Sequence, residues 1–206
     1  MEFTEKTLNS QMIFDGKVVK VFKDNIELSD GKKSFREVVK HSGGVVILAV
    51  KSPTPQPLKG EGVSSKSSDM ATCVAPLKGE GAKILFVKQF RYPMKKVLLE
   101  LPAGKLEYNE DPFKAAKREL EEETGYCADK WTDLGFVYTS PGYSDEKLYL
   151  YKAENLFYTK CHPDEGEILQ ALEIDINDAI KMINNGEISD AKTLCAFFRG
   201  LNGNEQ

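Results

Sequence analysis

Six glutamates lie in one short stretch of the chain, and the spacing of the last four decides what chemistry they could do. The stretch covers residues 104–126 and reads GKLEYNEDPFKAAKRELEEETGY. On a helix with about 100° per residue, Glu119, Glu122 and Glu123 fall on one side, beside the core face. Glu121 falls on the opposite side, which we expect to be solvated. Carboxylates this close repel one another unless a cation compensates, and such hard oxygen ligands suit Mg²⁺ or Mn²⁺.

The same stretch carries the start and stop signals of a helix over about 112–124. Asp111 can cap the N-terminus, Pro112 suits the first turn, and Gly125 suits a left-handed C-terminal residue. Arg118 lies on this helix and can hold one of the carboxylates through an ion pair one turn away. The predicted core stripe consists of Phe113, Ala116, Leu120 and Thr124.

A bare run of glutamates would favour a solvated acidic face, but the spacing of the whole segment is more specific than that. It resembles the Nudix box at every fixed position of that motif. The fixed residues here are Gly104, Glu110, Arg118, Glu119, Leu120, Glu122, Glu123, Gly125 and Tyr126. The chain is therefore identified as a member of the Nudix hydrolase superfamily, and the resemblance covers most of its length outside residues 52–81.

Four motifs around the box resemble those of the ADP-ribose pyrophosphatase branch of that superfamily. They are LPAG at 101–104, SPGYSDE at 140–146, DAKT at 190–193 and REVVKH at 36–41. The resemblance implies metal-dependent hydrolysis of the diphosphate bond of ADP-ribose, or of a related nucleoside diphosphate sugar, to AMP and ribose 5-phosphate. The alternatives are a Nudix hydrolase for another such sugar, for example GDP-mannose, and a non-catalytic ADP-ribose sensor. A sensor is disfavoured because all the box glutamates are present.

The resemblance also implies roles for individual residues in holding the metal. Glu119 and Glu123 would be the main metal carboxylates, and Glu122 would support them in catalysis. The backbone carbonyl of Ala103 would be a further ligand, and Gly104 would let the chain approach the metal closely. The expected cofactor is Mg²⁺, with Mn²⁺ as a substitute. The metal would position the diphosphate and activate a water molecule for in-line attack.

The catalytic base and the substrate contacts are implied in the same way. In this branch an acidic loop after the central sheet often supplies the base, and here that loop contains Glu167, the first candidate, and Glu165, the second. The remaining substrate contacts come from dispersed residues. Arg36 and Arg91 would bind the diphosphate or the terminal ribose phosphate, Glu100 would hydrogen-bond the substrate or a metal-bound water, and Phe35 would stack on adenine.

The N-terminal forty residues form a strand-rich module ahead of the Nudix domain. Turn signals at Asp15-Gly16 and Asp30-Gly31 separate β-rich runs at 18–22, 26–28 and 35–39. Such a meander is too small to stand alone. We expect residues 1–40 to be an antiparallel module for dimerisation and for the substrate pocket, and residues 41–206 to be the Nudix hydrolase domain.

Within that domain, the pattern predicts an α+β fold, with a mixed sheet flanked by helices. Residues 52–81 repeat the hexapeptide PLKGEG around a serine-rich stretch, which favours a mobile insert between neighbouring strands. The predicted strands are 45–50, 83–89, 97–101, 134–139, 147–153 and 169–174. After the box, the predicted helices are 176–184, with Asp175 or Asn177 as its cap, and 190–198.

The composition of the chain limits which partners and which cellular compartment are expected. The chain has 206 residues and a net charge of -4, so it lacks the broad basic field that nucleic-acid binding needs. Its longest apolar run, 45–50, is far shorter than the roughly 20 residues of a membrane span. The four cysteines are scattered and form no C-x-x-C pair, which favours a reduced cytoplasmic protein. The expected partners are a nucleoside diphosphate sugar and a second copy of the chain.

Overall fold

The computed structural model describes residues 4–53, 81–159 and 168–202. The strands are β1 (Glu5–Asp15), β2 (Lys20–Leu28), β3 (Lys33–Lys40), β4 (Gly44–Lys51), β5 (Lys83–Arg91), β6 (Lys96–Glu100), β7 (Ala103–Lys105), β8 (Tyr126–Tyr138), β9 (Lys147–Tyr158) and β10 (Leu169–Asp175). The helices are α1 (Pro112–Thr124), α2 (Ile176–Asn184) and α3 (Ala191–Asn202), and a short 3-10 turn spans Tyr92–Met94.

The N-terminal strands form a three-stranded antiparallel sheet in the order β1-β2-β3. Both predicted turns are confirmed, since the amide of Gly16 donates to the carbonyl of Val19 at 3.0 Å and Gly31 has φ +80°. The prediction of two separate strands at 18–22 and 26–28 is wrong, because β2 continues without a break from Lys20 to Leu28. The sequence analysis did not predict strand β1. The whole strand is exposed, so its sequence does not alternate between apolar and polar residues.

The remaining strands form a mixed sheet in the order β10-β5-β4-β9-β8, with β6 on β5 and β7 on β4. Among the strands that the structure describes, β4 and β9 pair in parallel and the other pairs are antiparallel. The predicted neighbours β4 and β5 do pair, with Val50 opposite Ile84. Residues 54–80, which make up most of the predicted insert, lie outside the described residues.

Helices cover both faces of the mixed sheet, as predicted for the α+β class. Successive side chains of β4 point to opposite faces, and this strand is almost wholly buried. One face packs on α2 and α3 through Val46, Leu48 and Val50. The other face packs on α1 through Val45, Ile47 and Ala49. This double burial explains why β4 reads as a continuous apolar run rather than an alternating one.

The helix that carries the glutamates begins and ends where the sequence predicts. The Asp111 carboxylate accepts hydrogen bonds from the amides of Phe113 and Lys114, and Gly125 is left-handed with φ 74°. For α2, Asp175 rather than Asn177 is the cap. Helix α3 extends beyond the predicted 190–198.

Strand β8 is much longer than the predicted 134–139. It pairs with β9 from Tyr126 onward, and a bulge between Asp133 and Phe136, with Gly135 at φ +79°, interrupts the alternation. Because of this bulge, the sequence pattern did not indicate the first half of the strand. No helix in the described parts of the chain is long and apolar enough to span a membrane.

The N-terminal sheet joins the mixed sheet through the end of β3. The amide of Val39 donates to the carbonyl of Tyr143 at 2.7 Å, and the amide of Asp145 donates back to the carbonyl of Val39 at 3.2 Å. An ion pair of 2.9 Å between Lys40 and Asp145 adds to this joint. The first turn of the N-terminal module is thereby held near the N-terminal ends of β4 and β9.

Candidate active site

A cleft of about 1220 Å³ lies where the N-terminal sheet meets helix α1. The box glutamates Glu119, Glu122 and Glu123 line it, together with the backbone of Ala103 and Gly104. Its cationic side chains are Lys17 from the β1–β2 turn, Lys20 from the start of β2, Arg91 from β5 and Lys192 from the first turn of α3. The cleft therefore brings an acidic helix face and several cations together.

Arg118 holds three carboxylates rather than the one that was predicted. Its Nη1 donates to Glu119 Oε1 and to Glu122 Oε2, both at 2.8 Å. Its Nε and Nη2 donate to the two oxygens of Glu110 at 2.9 and 3.0 Å. These bonds to Glu110 are the main cause of a raised pKa of Arg118, and they lower the pKa of Glu110. The ion pairs fix the orientation of the acidic face before any ligand binds.

Glu123 is buried and is tied directly to the backbone that follows β6. Its Oε2 accepts a hydrogen bond of 3.0 Å from the amide of Ala103. Ala103 lies opposite Val46 between two ladder bonds, one of them from the amide of Ile47 to the carbonyl of Pro102 at 2.9 Å. The amide and the carbonyl of a strand residue point the same way. The amide of Ala103 therefore points toward Glu123, whereas the ligand role of its carbonyl stays a prediction.

Gly104 stands against the Glu119 carboxylate with no room for a side chain. A Cβ built on Gly104 would overlap the carboxylate carbon and both oxygens of Glu119. The close approach that the structure shows at this glycine is that of the Glu119 carboxylate, whereas the expected approach of the chain to a metal stays a prediction. Strand β7, which the sequence analysis did not predict, holds this glycine beside α1 by pairing with β4.

The types of donor atom in this cleft fit a hard divalent cation. Carboxylate oxygens of Glu119, Glu122 and Glu123 and one backbone carbonyl are the ligands that Mg²⁺ and Mn²⁺ prefer. No group of three acidic, histidine or cysteine side chains among the described residues already has the arrangement of a metal site. Arg118 lies between Glu119 and Glu122 and supplies the compensating charge there.

Glu121 points away from the other box glutamates, as predicted, but it does not face open solvent. Its Oε1 accepts a hydrogen bond of 3.0 Å from Thr159 Oγ1, and the residue is half-buried. The side chain is therefore solvated in part, because Thr159, which follows β9, lies beside this side of α1. Glu121 remains a matched control for the glutamates that face the cleft.

Arg91 and Glu100, which were both predicted to contact the substrate, form a bidentate pair with each other. Arg91 Nε and Nη2 donate to the two oxygens of Glu100, each at 2.7 Å. Glu100 is 1% exposed, and its Oε2 also accepts from Lys192. Arg91 lines the cleft, whereas Glu100 is not among the described residues that line it. Lys192 was not predicted as a site residue, although its DAKT motif was noted.

This buried pair predicts a pH-dependent stability. Burial alone would raise the pKa of Glu100, but Arg91 and Lys192 outweigh it and keep the pKa below the ordinary value of 4.5. A carboxyl group with a depressed folded pKa stabilises the fold above its unfolded pKa, and the contribution is lost as the pH falls through the folded pKa. We expect Glu100→Gln to cost about 3 kcal/mol at pH 7.

Denaturant unfolding of the parent and of Glu100→Gln at several pH values measures this effect. The difference between the two proteins should narrow as the pH falls below 4.5, because the protonated glutamic acid then resembles the amide. A difference that stays constant down to about pH 2.5 would contradict this account of Glu100.

The other predicted substrate and base residues lie outside the cleft or outside the described chain. Arg36 pairs with Glu5 on the N-terminal sheet, through Nε at 3.0 Å, and Phe35 is exposed on the same sheet with Lys23 over its ring. Neither belongs to the described residues that line the cleft. Glu165 and Glu167 fall within 160–167, outside the described residues.

A second polar pair that the sequence analysis missed lines the cleft near the joint between the two sheets. His41 Nδ1 lies 3.2 Å from Glu146 Oε1, and Thr139 Oγ1 donates to Glu146 Oε2 at 2.6 Å. The amide of Gly43 also donates to His41 Nδ1 at 3.0 Å. Glu146 closes the SPGYSDE motif, which was the available signal, whereas its contact with His41 required the fold.

Comparison with known proteins assigns the site to a family. The NUDIX domain matches residues 68–197, and the chain belongs to the NUDIX family. It is 41% identical over 194 residues to the ADP-ribose pyrophosphatase of Bacillus subtilis (strain 168), covering 93% of this chain and 90% of that protein. It is 36% identical over 196 residues to the methanol dehydrogenase activator of Bacillus methanolicus, covering 94% and 91%.

The fold also has a counterpart among solved structures. The structure described as an ADP compounds hydrolase superposes with a TM-score of 0.72 and covers 97% of this chain and 94% of that one. The sequence identity in this superposition is 17%. This likeness confirms the predicted Nudix fold, with its mixed sheet, flanking helices and N-terminal antiparallel strands.

Proposed function

We propose that this protein hydrolyses the diphosphate bond of ADP-ribose, in a metal-dependent reaction that gives AMP and ribose 5-phosphate. The observation that carries the proposal is the complete carboxylate set, Glu119, Glu122 and Glu123, packed against the Ala103-Gly104 backbone in a cleft. Similarity to an ADP-ribose pyrophosphatase over nearly the whole chain supports the choice of substrate. The complete set also favours hydrolysis over a purely regulatory role.

The residues of α1 and β7 would hold the metal and orient the reaction. We assign Glu119, Glu123 and the Ala103 carbonyl as metal ligands, with Glu122 in support. Mg²⁺, when bound, would neutralise the diphosphate and lower the pKa of a coordinated water molecule. Arg118 keeps Glu119 and Glu122 aimed at the cleft, and the amide of Ala103 does the same for Glu123.

Arg91 and the loop that contains the base candidates complete the proposed site. Arg91 lines the same cleft as Glu119, Glu122 and Glu123, which supports a role in binding the diphosphate next to the metal. It would donate hydrogen bonds to the diphosphate. Glu167 is the first candidate for the base that takes a proton from the attacking water, and Glu165 is the second.

The substrate assignment is tested with a panel of nucleoside diphosphate sugars in Mg²⁺. We expect kcat/KM to be highest for ADP-ribose, and chromatography to find AMP and ribose 5-phosphate in equal amounts. A higher kcat/KM for GDP-mannose would assign the enzyme to that substrate instead. Tight binding of ADP-ribose without turnover would indicate a sensor.

The N-terminal module points to a two-fold homodimer. Strand β1 is exposed along its whole length, with Met12, Ile13 and Phe14 each about half exposed, and residues 1–40 are too few to form a core of their own. Phe35 and Arg36 lie on this module, so as substrate ligands they would serve the site of the partner subunit. Light scattering should give twice the chain mass of 23.0 kDa. A fully active monomer would contradict this prediction.

We place this activity in the cytoplasm, on a small-molecule substrate, without nucleic-acid or membrane partners. The net charge of -4 argues against binding of a phosphate backbone. Cys127 and Cys195 are free thiols, which suits a reducing compartment. In this proposal residues 1–40 assemble the dimer and residues 41–206 carry the chemistry.

A further inference from the structure

Glu100 is a buried carboxylate held between two cations that both face the cleft. Arg91 binds it from β5 through two bonds of 2.7 Å, and Lys192 binds its Oε2 from the first turn of α3. Lys192 also lies 3.0 Å from Asp190 Oδ2, and its side chain is 16% exposed. Both cations line the cleft, whereas Glu100 is almost completely buried.

The two cations keep hydrogen-bond donors that Glu100 does not use. A guanidinium carries five N–H donors and an ammonium carries three. Arg91 gives two of its donors to Glu100, whereas Lys192 gives one donor to Glu100 and forms an ion pair with Asp190. Both side chains line the cleft, and no further side-chain hydrogen bond from either of them reaches another described residue, so their remaining donors can serve a ligand there. The two positive charges of Arg91 and Lys192 balance the two negative charges of Glu100 and Asp190. The cluster would therefore act on a ligand through hydrogen bonds rather than through a long-range electric field.

The first turn of α3 is fixed to the backbone that leads into the proposed metal site. The amide of Leu101 donates to Thr193 Oγ1 at 2.9 Å, and Thr193 Oγ1 donates to Asp190 Oδ2 at 2.7 Å. Thr193 is fully buried, and Leu101 is two residues before Ala103 in the chain. Lys192 is therefore held in a constant position relative to the Ala103-Gly104 backbone.

Neutralising Glu100 does not by itself require Lys192. The bidentate bond from Arg91 already satisfies both oxygens and supplies one full positive charge. A second cation adds donors on the side that faces the cleft, while Asp190 balances its charge. A ligand with several anionic oxygens next to the glutamates explains this arrangement.

We propose that Lys192 is a second phosphate-binding residue of this site, which with Arg91 donates hydrogen bonds to the diphosphate oxygens. This inference rests on the proposed function, since it names a residue that binds the same substrate. Glu100 is then a positioning residue, because it aligns both cations without touching the substrate. The ligand class that Lys192 recognises is a diphosphate, whatever nucleoside or sugar is attached to it.

The test compares Lys192→Met and Lys192→Arg with the parent protein and with Lys181→Met. Lys181 is a matched control because it is a helix lysine paired at 2.8 Å with Asp178, away from the cleft. For each protein, KM and kcat for ADP-ribose and the inhibition constant of inorganic pyrophosphate are measured, together with the melting temperature. Pyrophosphate probes the diphosphate contact without the nucleoside.

We expect Lys192→Met to raise KM and the pyrophosphate inhibition constant about tenfold, with a smaller change in kcat, because a charge-assisted hydrogen bond is lost. Lys192→Arg should recover most of the affinity, and Lys181→Met should match the parent. A Lys192→Met protein within twofold of the parent in both constants would overturn the inference, as would a loss that Lys192→Arg shares in full. A parent protein that hydrolyses no ADP-ribose would refute the proposed function instead.

Discussion

The Glu123→Gln variant is expected to lose activity on the order of a thousandfold or more in kcat, and Glu119→Gln should do the same. Both carboxylates face the cleft, and Glu123 also anchors the amide of Ala103. An amide of the same shape keeps most of the packing but supplies no negative charge to a metal ion. The fold should therefore survive while turnover is lost, which steady-state kinetics with circular dichroism can show.

Glu121→Gln is the control for this pair of variants, since it lies on the same helix turn. Glu121 points away from the cleft and accepts a hydrogen bond from Thr159, which the carbonyl oxygen of glutamine can also accept. We expect its kcat to stay within about threefold of the parent, since a neutral acceptor preserves the contact. An effect as large as that of Glu123→Gln would show that the assignment of the helix faces is wrong.

A second large effect is expected from the smallest possible change, Gly104→Ala. The new methyl group would occupy the space of the Glu119 carboxylate, which must then move. Because that carboxylate is the far end of a flexible side chain, the fold should tolerate the change. Displacing a metal ligand by about 1 Å can cost on the order of a hundredfold, so we expect a loss of that size in kcat/KM.

Gly142→Ala is the matched control for Gly104→Ala. A Cβ at Gly142 meets nothing within 4 Å, and its backbone is not in the left-handed region. We expect parental activity and parental melting temperature in this variant. If Gly104→Ala also keeps parental activity, Glu119 does not need the position seen here, and its role as a metal ligand would have to be abandoned.

The part of the site carried by one continuous segment could be predicted almost completely from sequence. Helix α1 was placed correctly because Asp111, Pro112 and Gly125 mark both of its ends with local chemistry. Its glutamates were assigned to faces because helical spacing is regular. Spacing alone did not show that Arg118 binds Glu110 and Glu119 as well as Glu122, or that Thr159, which is far away in sequence, contacts Glu121.

The part of the site that depends on distant residues could not be predicted. Glu100 and Lys192 are separated by 92 positions, and their contact exists only because α3 packs against the end of β6. The sequence identified Arg91 and Glu100 as separate substrate ligands, whereas the fold shows that they bind each other. Arg118 was likewise predicted to bind one carboxylate. Its bonds to Glu110 depend on how the loop before α1 folds back onto the helix.

The most direct test of the central claim is hydrolysis of ADP-ribose by the purified protein with Mg²⁺, with excess chelator, and after Mg²⁺ or Mn²⁺ is returned. The clustered carboxylates and the Ala103 carbonyl predict AMP and ribose 5-phosphate in equal amounts only when a divalent cation is present, with full recovery after its return. Undiminished hydrolysis in excess chelator would contradict the metal-dependent mechanism assigned to helix α1.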